Sequence, residues 1–223
     1  MIIYNKIEQQ SEEWYEIKKL KMSASNAQAI GNNGKGLNTY IKKIVMESIT
    51  GRDEYTNKDI DRGNELEPLA RFLYELETGR KVEQVGFIGY NDYCGCSPDG
   101  IIKEGDNIIG GIEIKALNNA NHFDLLLDFK IESKYFWQIQ MTLMITGAKW
   151  WDYICYNPNF KKSLLVKRVY PEKTNIEKLK EGIKTGEKMI KELTKNDNIK
   201  YELESIKNKQ GSQASDPDGD LQF

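Results

Sequence analysis

Asp99, Glu113 and Lys115 have the residue types and order that acid-assisted metal chemistry requires. Asp99 lies in a Ser97-Pro98-Asp99-Gly100 corner, and the charged pair follows on the apolar run Ile108-Ile109-Gly110-Gly111-Ile112-Glu113-Ile114-Lys115. Strand side chains change face at every residue, so Ile112 and Ile114 enter a core while Glu113 and Lys115 project together from the opposite face. A carboxylate at a turn, with a second carboxylate and a lysine on the next strand, suits phosphodiester hydrolysis. Carboxylate oxygens are what Mg²⁺ prefers, and a bound metal lowers the pKa of its water and stabilises the pentacovalent phosphate. The lysine then orients or deprotonates the attacking water. The competing reading is a hairpin whose outer face carries a solvated Glu/Lys pair, because cross-strand charges are common. These residues alone leave both open.

Elements elsewhere must bring further groups to such a centre. The segment from Arg62 to Gly79 reads as a helix with Leu66, Leu69, Ala70, Leu73 and Leu76 as its buried stripe. Glu67 lies at the edge of that stripe, as well placed for the surface as for a site beneath the helix, whereas Glu65 is expected to be exposed. A largely apolar helix from Ser133 to Gly147 must be buried, yet it contains Gln138 and Gln140. A buried amide needs hydrogen-bond partners, either at a central site or in neighbouring backbone.

Near the start, Ser11 followed by Glu12 and Glu13 is a helix N-terminus, with Trp14 and Ile17 at helical spacing beside Lys18, Lys19 and Lys21. Ser25, Gln28 and Gly31 form a capping-box pattern that predicts a short helix beginning at Ser25. That start, with lysines upstream, fits either a phosphate site or a plain capped helix. Gly31 to Gly36 reads as a connector without the Lys-Ser/Thr ending of a nucleotide loop, and a helix is expected from Asn38 to Thr50. Strands are expected at Val82–Tyr90, Tyr93–Ser97, Trp150–Tyr156 and Ser163–Val169, a short helix at Phe123–Leu127, and a terminal helix from Glu172 to Leu193.

Composition bounds the class. With 39% hydrophobic and 30% charged residues the chain reads as a globular protein, and no apolar run approaches the roughly 20 residues that span a bilayer. The N-terminus, MIIYNKIEQQ, lacks the apolar core of a signal peptide, so no membrane association and a cytoplasmic location are the expectation. A formal charge of −2 means that any DNA contact relies on a local basic patch. The single histidine, His122, excludes His-pair and multi-histidine metal schemes and reads as structural. Cys94, Cys96 and Cys155 have no CxxC spacing and are expected to be reduced and buried. One domain is expected over residues 1–207, followed by a disordered acidic tail from 208 to 223. Its Asp216-Pro217-Asp218-Gly219-Asp220 run lacks the closing glutamate of a calcium loop.

Taken in order, these features resemble the phage lambda exonuclease family, also called YqaJ-type viral recombinases, within the PD-(D/E)xK nuclease superfamily. The likeness runs from about Trp14 to Phe160. It is carried by a tryptophan followed by Met22-Ser23-Ala24-Ser25, by Gly63…Glu67…Ala70, by Ser97-Pro98-Asp99-Gly100, by Glu113-Ile114-Lys115, and by Gln138-Ile139-Gln140 followed by a strand ending Tyr156-Asn157-Pro158. The resemblance implies an α/β fold with a restriction-endonuclease-like core, a central mixed β-sheet flanked by α-helices. It implies Asp99 and Glu113 as Mg²⁺ ligands, with Mn²⁺ as a substitute, and Lys115 as the residue acting on water. Glu67 is then a helix-borne acidic partner and Gln138 the polar group above the site. Lys18, Ser23 and Ser25 match the region that holds the 5′-phosphate of a DNA end.

The implied function is an exonuclease that degrades one strand of linear double-stranded DNA from the 5′ end, leaving a 3′ overhang for annealing. Its partners would be DNA ends, a single-strand annealing protein and further copies of itself in a ring-shaped trimer, and its setting a phage or prophage protein in the host cell. A non-catalytic DNA-end-binding protein and an endonuclease on the same fold are the alternatives. Two departures stand out. Lys18 occupies a position where relatives have arginine, giving up the planar bidentate fork, and Ala116-Leu117 replaces a common Cys-Pro pair.

Overall fold

The structure, a computed structural model, describes residues 1–51 and 58–213. The strands are β1 (Ile2–Tyr4), β2 (Met22–Ser23), β3 (Phe87–Asn91), β4 (Cys94–Cys96), β5 (Gly100–Glu104), β6 (Asn107–Ala116), β7 (Trp151–Tyr156) and β8 (Leu164–Val169). The helices are α1 (Glu12–Lys18), α2 (Ala27–Asn32), α3 (Lys35–Thr50), α4 (Lys58–Thr78), α5 (Asn119–Leu127), α6 (Ser133–Thr146), α7 (Lys173–Lys195) and α8 (Asp197–Gln213). The expected α/β class, mixed strands flanked by helices, is the one observed, but the single central sheet expected is divided in two. Its strands divide into two four-stranded sheets, ordered β1-β3-β4-β2 and β5-β6-β7-β8. Each is mixed: β2 pairs parallel with β4 and β6 parallel with β7, while the remaining pairs are antiparallel.

The chain leaves the first sheet at Cys96 and enters the second at Gly100, so Ser97-Pro98-Asp99 is the junction between them. On one face of the second sheet, α4 packs Ala70 and Tyr74 into a cluster with Ile112, Ile114 and Ile154. On the other, α6 packs against β3, β4 and β7, with α2 and α7 behind it. The alternation in β6 thus sends its isoleucines toward α4 and its charged pair toward α6.

Several local expectations are corrected. The capping box at Ser25 does not form: Ala24–Asn26 is a 3₁₀ turn, α2 starts at Ala27, and Gln28 donates to Ser133 Oγ instead of reaching back. Gly31 does not stop α2. The indole of Trp137 lies where a Cβ would stand, and the helix ends instead at Asn33, which takes the left-handed conformation at φ 48°. α3 follows almost at once, so the glycine-rich stretch is a tight link rather than a loop. The strand expected from Val82 begins only at Phe87, Glu83 contributing a single bridge to Ile101. β1 and β2 are too short for any period to announce them.

Helix α4 is turned part of the way from its expected orientation: Leu66, Ala70 and Leu73 pack inward as expected, but Leu69 and Leu76 do not. Leu69, Phe72 and Leu76 are exposed, at 51%, 62% and 70%, while Ala70 and Tyr74 are fully buried and Arg71 nearly so. Polar pairing explains the rotation. The Tyr74 hydroxyl donates to Asp152 Oδ2 at 2.7 Å, Arg168 donates to both Asp152 oxygens at 2.8 Å, and Arg71 pairs with Glu67 on the inward face of α4. Hydrophobic periodicity cannot register a face whose charges satisfy one another.

The long α7 buries Leu179, Ile183 and Ile190 as its pattern requires. Beyond it, α8 continues to Gln213, so residues 208–213, expected in a disordered tail, are helical; residues 214–223 and 52–57 lie outside the described residues. Among the described residues no helix is long and apolar enough to cross a membrane. Gly182 of α7 packs directly on α2, where an added Cβ would collide with the Ile30 carbonyl group. Gly182→Ala is therefore expected to destabilise the protein by about 2 kcal/mol through overpacking, read from the urea midpoint. An unchanged midpoint would show that the two helices can separate freely.

Candidate active site

The centre is built where the sheet junction meets β6. The Ile114 backbone N–H donates to Asp99 Oδ2 at 2.6 Å, which ties the corner to the residue between Glu113 and Lys115. Glu113 is 1% exposed, so the solvated-hairpin reading does not describe it. Its Oε1 accepts from both Lys115 Nζ and Gln138 Nε2, each at 2.6 Å. These bonds hold each carboxylate through one oxygen, Asp99 Oδ2 and Glu113 Oε1.

Glu67 reaches the same centre from α4. Its carboxyl is pushed up to about 7 by burial and then by the charge of Asp99, against the pull of Arg71 and Lys115. Glu113 is likewise raised to about 7, chiefly by burial, with Lys115 opposing and Asp99 adding to the rise. Burial also pushes Asp99 up, against Lys115, the Ile114 N–H and Arg71. For Lys115, burial favours the neutral amine, but Glu113 and Asp99 outweigh it and hold the ammonium charged.

The other sequence candidates fall in two groups. Gln138 joins the centre, whereas Gln140 is structural: it donates to the Tyr170 carbonyl and accepts from the Glu172 N–H. Ser23 and Ser25 pair with each other beside β2, while Lys18, at the end of α1, packs on Trp14. The Ser23 and Ser25 hydroxyls are 2.8 Å apart, the Ser23 N–H donates to the Tyr40 hydroxyl at 2.9 Å, and Lys18 Nζ stands 3.4 Å from the Trp14 ring centroid. The six-residue α2 is too short to supply a helix N-terminal anion site. Trp14 ties Lys18 to the sheet junction, since its ring carries the Lys18 ammonium and its indole N–H donates to Ser97 Oγ and to the Gly86 carbonyl. His122 is buried, bonded to the Lys162 carbonyl and packed on the Phe160 ring. The three cysteines are buried and free, their thiols pushed up by burial.

Sequence reasoning missed four contributors. Arg71 follows Glu67 by one helical turn, and Tyr135 precedes Gln138 by three residues, so both share a face with a residue already singled out. The Tyr135 ring stacks on Tyr153 and lies 5.2 Å from Lys115 Nζ. Gln9 donates to the Val85 and Pro98 carbonyls, bracing the Asp99 corner from the N-terminal segment. Neither Gln9 nor Tyr40 carries a local signal.

The layered α/β fold is of the PD-(D/E)xK type. The chain belongs to the YqaJ-like viral recombinase domain family, whose model matches residues 13–149. Among solved structures it is similar to an alkaline exonuclease, LHK-Exo, from Laribacter hongkongensis, with 26% identity and a TM-score of 0.72 over 91% of this chain and 100% of that one. The same figures hold for LHK-Exo in complex with dAMP. A phage-related exonuclease from Haemophilus somnus 129PT shares the fold at 13% identity, with a TM-score of 0.56 over 86% of this chain and 98% of that one. A comparison with curated proteins finds no match.

The buried charges make stability depend on pH. Because Glu113 binds its proton more tightly in the native state than unfolded, stability falls as pH rises from the ordinary carboxylate range through about 7. Removing the Lys115 charge raises the native value further and steepens that loss. In metal-free buffer, Lys115→Met is expected to cost about 3 kcal/mol at pH 8 and clearly less at pH 5, measured by urea denaturation. A deficit independent of pH would contradict the pairing.

Proposed function

We propose that this protein is a Mg²⁺-dependent exonuclease that degrades one strand of linear double-stranded DNA from its 5′ end and leaves a 3′ overhang for single-strand-annealing recombination. The observation that carries the reading is the Ile114 N–H bond to Asp99, which holds one carboxylate beside the strand bearing Glu113 and Lys115. Family membership and the likeness to LHK-Exo support it.

Among the described residues no group of three or more His, Cys, Asp or Glu side chains forms a metal cage. Two carboxylates nevertheless suit Mg²⁺, which keeps several waters and takes one or two protein carboxylates together with substrate phosphate. Asp99 and Glu113 would hold it through their carboxylate oxygens. When bound, the ion lowers the pKa of a water and offsets charge on the phosphate. Gln138 and Lys115 fix the Glu113 carboxylate, and the Lys115 ammonium orients the attacking water. Glu67 supplies a further acceptor on the α4 side.

Lys18, Ser23 and Ser25 would receive the terminal 5′-phosphate through one charge and two hydroxyls. The dAMP bound by LHK-Exo is a deoxynucleoside monophosphate, the product class expected here. The reading extends to a ring-shaped trimer, to a single-strand annealing partner and to action in the host cytoplasm, and Mn²⁺ is expected to replace Mg²⁺.

The test is digestion of linear duplex labelled on each strand, with and without 5′-phosphates, in Mg²⁺ and in chelator. Loss of the 5′-ended strand in Mg²⁺ alone is expected, faster on phosphorylated ends. Asp99→Ala, Glu113→Ala and Lys115→Ala should each lower the rate by about 100-fold or more while DNA binding persists. Intact linear duplex would overturn the reading, and cleavage of covalently closed plasmid would turn it into an endonuclease.

A further inference from the structure

Arg71 is 9% exposed, which is rare for a guanidinium. One terminal nitrogen donates to Glu67 Oε1 one turn back on α4, and its Nε is enclosed without a partner among the described residues. Its charge acts on the carboxylates of Glu67 and Asp99. Burying a guanidinium with one side-chain partner is unfavourable compared with an apolar residue of the same volume. Stability alone therefore does not account for an arginine at this position. Glu67 lies close enough to Asp99 and Lys115 to feel their charges, and Arg71 is the cation on the α4 side.

We propose that Arg71 is a positioning residue of the nuclease centre. By holding Glu67 Oε1 it fixes the rotamer of that side chain, so that Oε2 is presented toward the space shared by Asp99 and Lys115. Its charge offsets the Glu67 carboxylate, allowing it to remain near Asp99. It acts through Glu67, without contacting the reacting phosphate. The assignment rests on the nuclease reading above and adds a dependence between two named side chains.

A double-mutant cycle separates this role from simple packing. Arg71→Met keeps the volume and removes the donor, and Glu67→Leu removes both the charge and the acceptor that it holds. With Mg²⁺ and saturating linear duplex, Arg71→Met is expected to lower kcat about 10-fold in the wild-type background. In the Glu67→Leu background it should lower kcat by less than about 2-fold, because the partner is already lost. KM for DNA should change little in either. Arg71→Lys, whose ammonium still reaches Glu67 at i,i+4 spacing, should retain more activity than Arg71→Met, and it carries the same cycle if the methionine variant does not fold.

Equal losses in both backgrounds, no loss in either, or a loss confined to KM would overturn the assignment. An inactive wild-type protein would instead overturn the nuclease reading, so the two failures are distinguishable.

Discussion

One hydrogen bond governs the geometry of this molecule: the Ile114 N–H to Asp99 Oδ2. Asp99 belongs to the short link between two sheets, where nothing in the ladder of either would fix its direction. Ile114 lies in the last stretch of β6, past its ladder with β5, paired in parallel with Ile154 of β7 and buried against α4. Through this bond the least regular segment of the centre takes its position from the most regular one. Gln9 and Trp14 brace the same link from outside, by way of Pro98 and Ser97.

The centre that results is electrostatically unfavourable in isolation. Glu67, Asp99 and Glu113 are all pushed above the ordinary carboxylate range, with burial as the leading cause. Lys115 and Arg71 offset the repulsion only in part. A fold selected for stability alone would place apolar side chains here. Like charges held together in burial are characteristic of functional sites, and on the proposed reading a cation bound there would contribute stability by mass action.

Much of this is legible in the sequence. The alternation of Ile112, Glu113, Ile114 and Lys115 predicts which side chains share a face, and the Pro-Asp-Gly corner predicts a turn at Asp99. Glutamine in an apolar helix points to a polar need, met by Glu113 for Gln138 and by backbone for Gln140. What escapes are interactions between elements distant in sequence. The inward face of α4 contains Glu67, Arg71 and Tyr74 beside Leu66, Ala70 and Leu73, and the partners of the polar three lie partly on β7, so a count of leucines finds only one side of that face. Ser25 has the pattern of a cap, yet its hydroxyl meets Ser23 instead. Strands of two or three residues, such as β1 and β2, gain their stability from pairing and leave no period to detect.

The most direct measurement is anomalous diffraction from crystals soaked in Mn²⁺. A peak within bonding distance of the Asp99 and Glu113 carboxylates is the predicted result, and it should vanish in Asp99→Asn. Degradation of DNA by a protein whose soaked crystals show no peak there, or show one only elsewhere, would contradict a centre organised by the Ile114 bond.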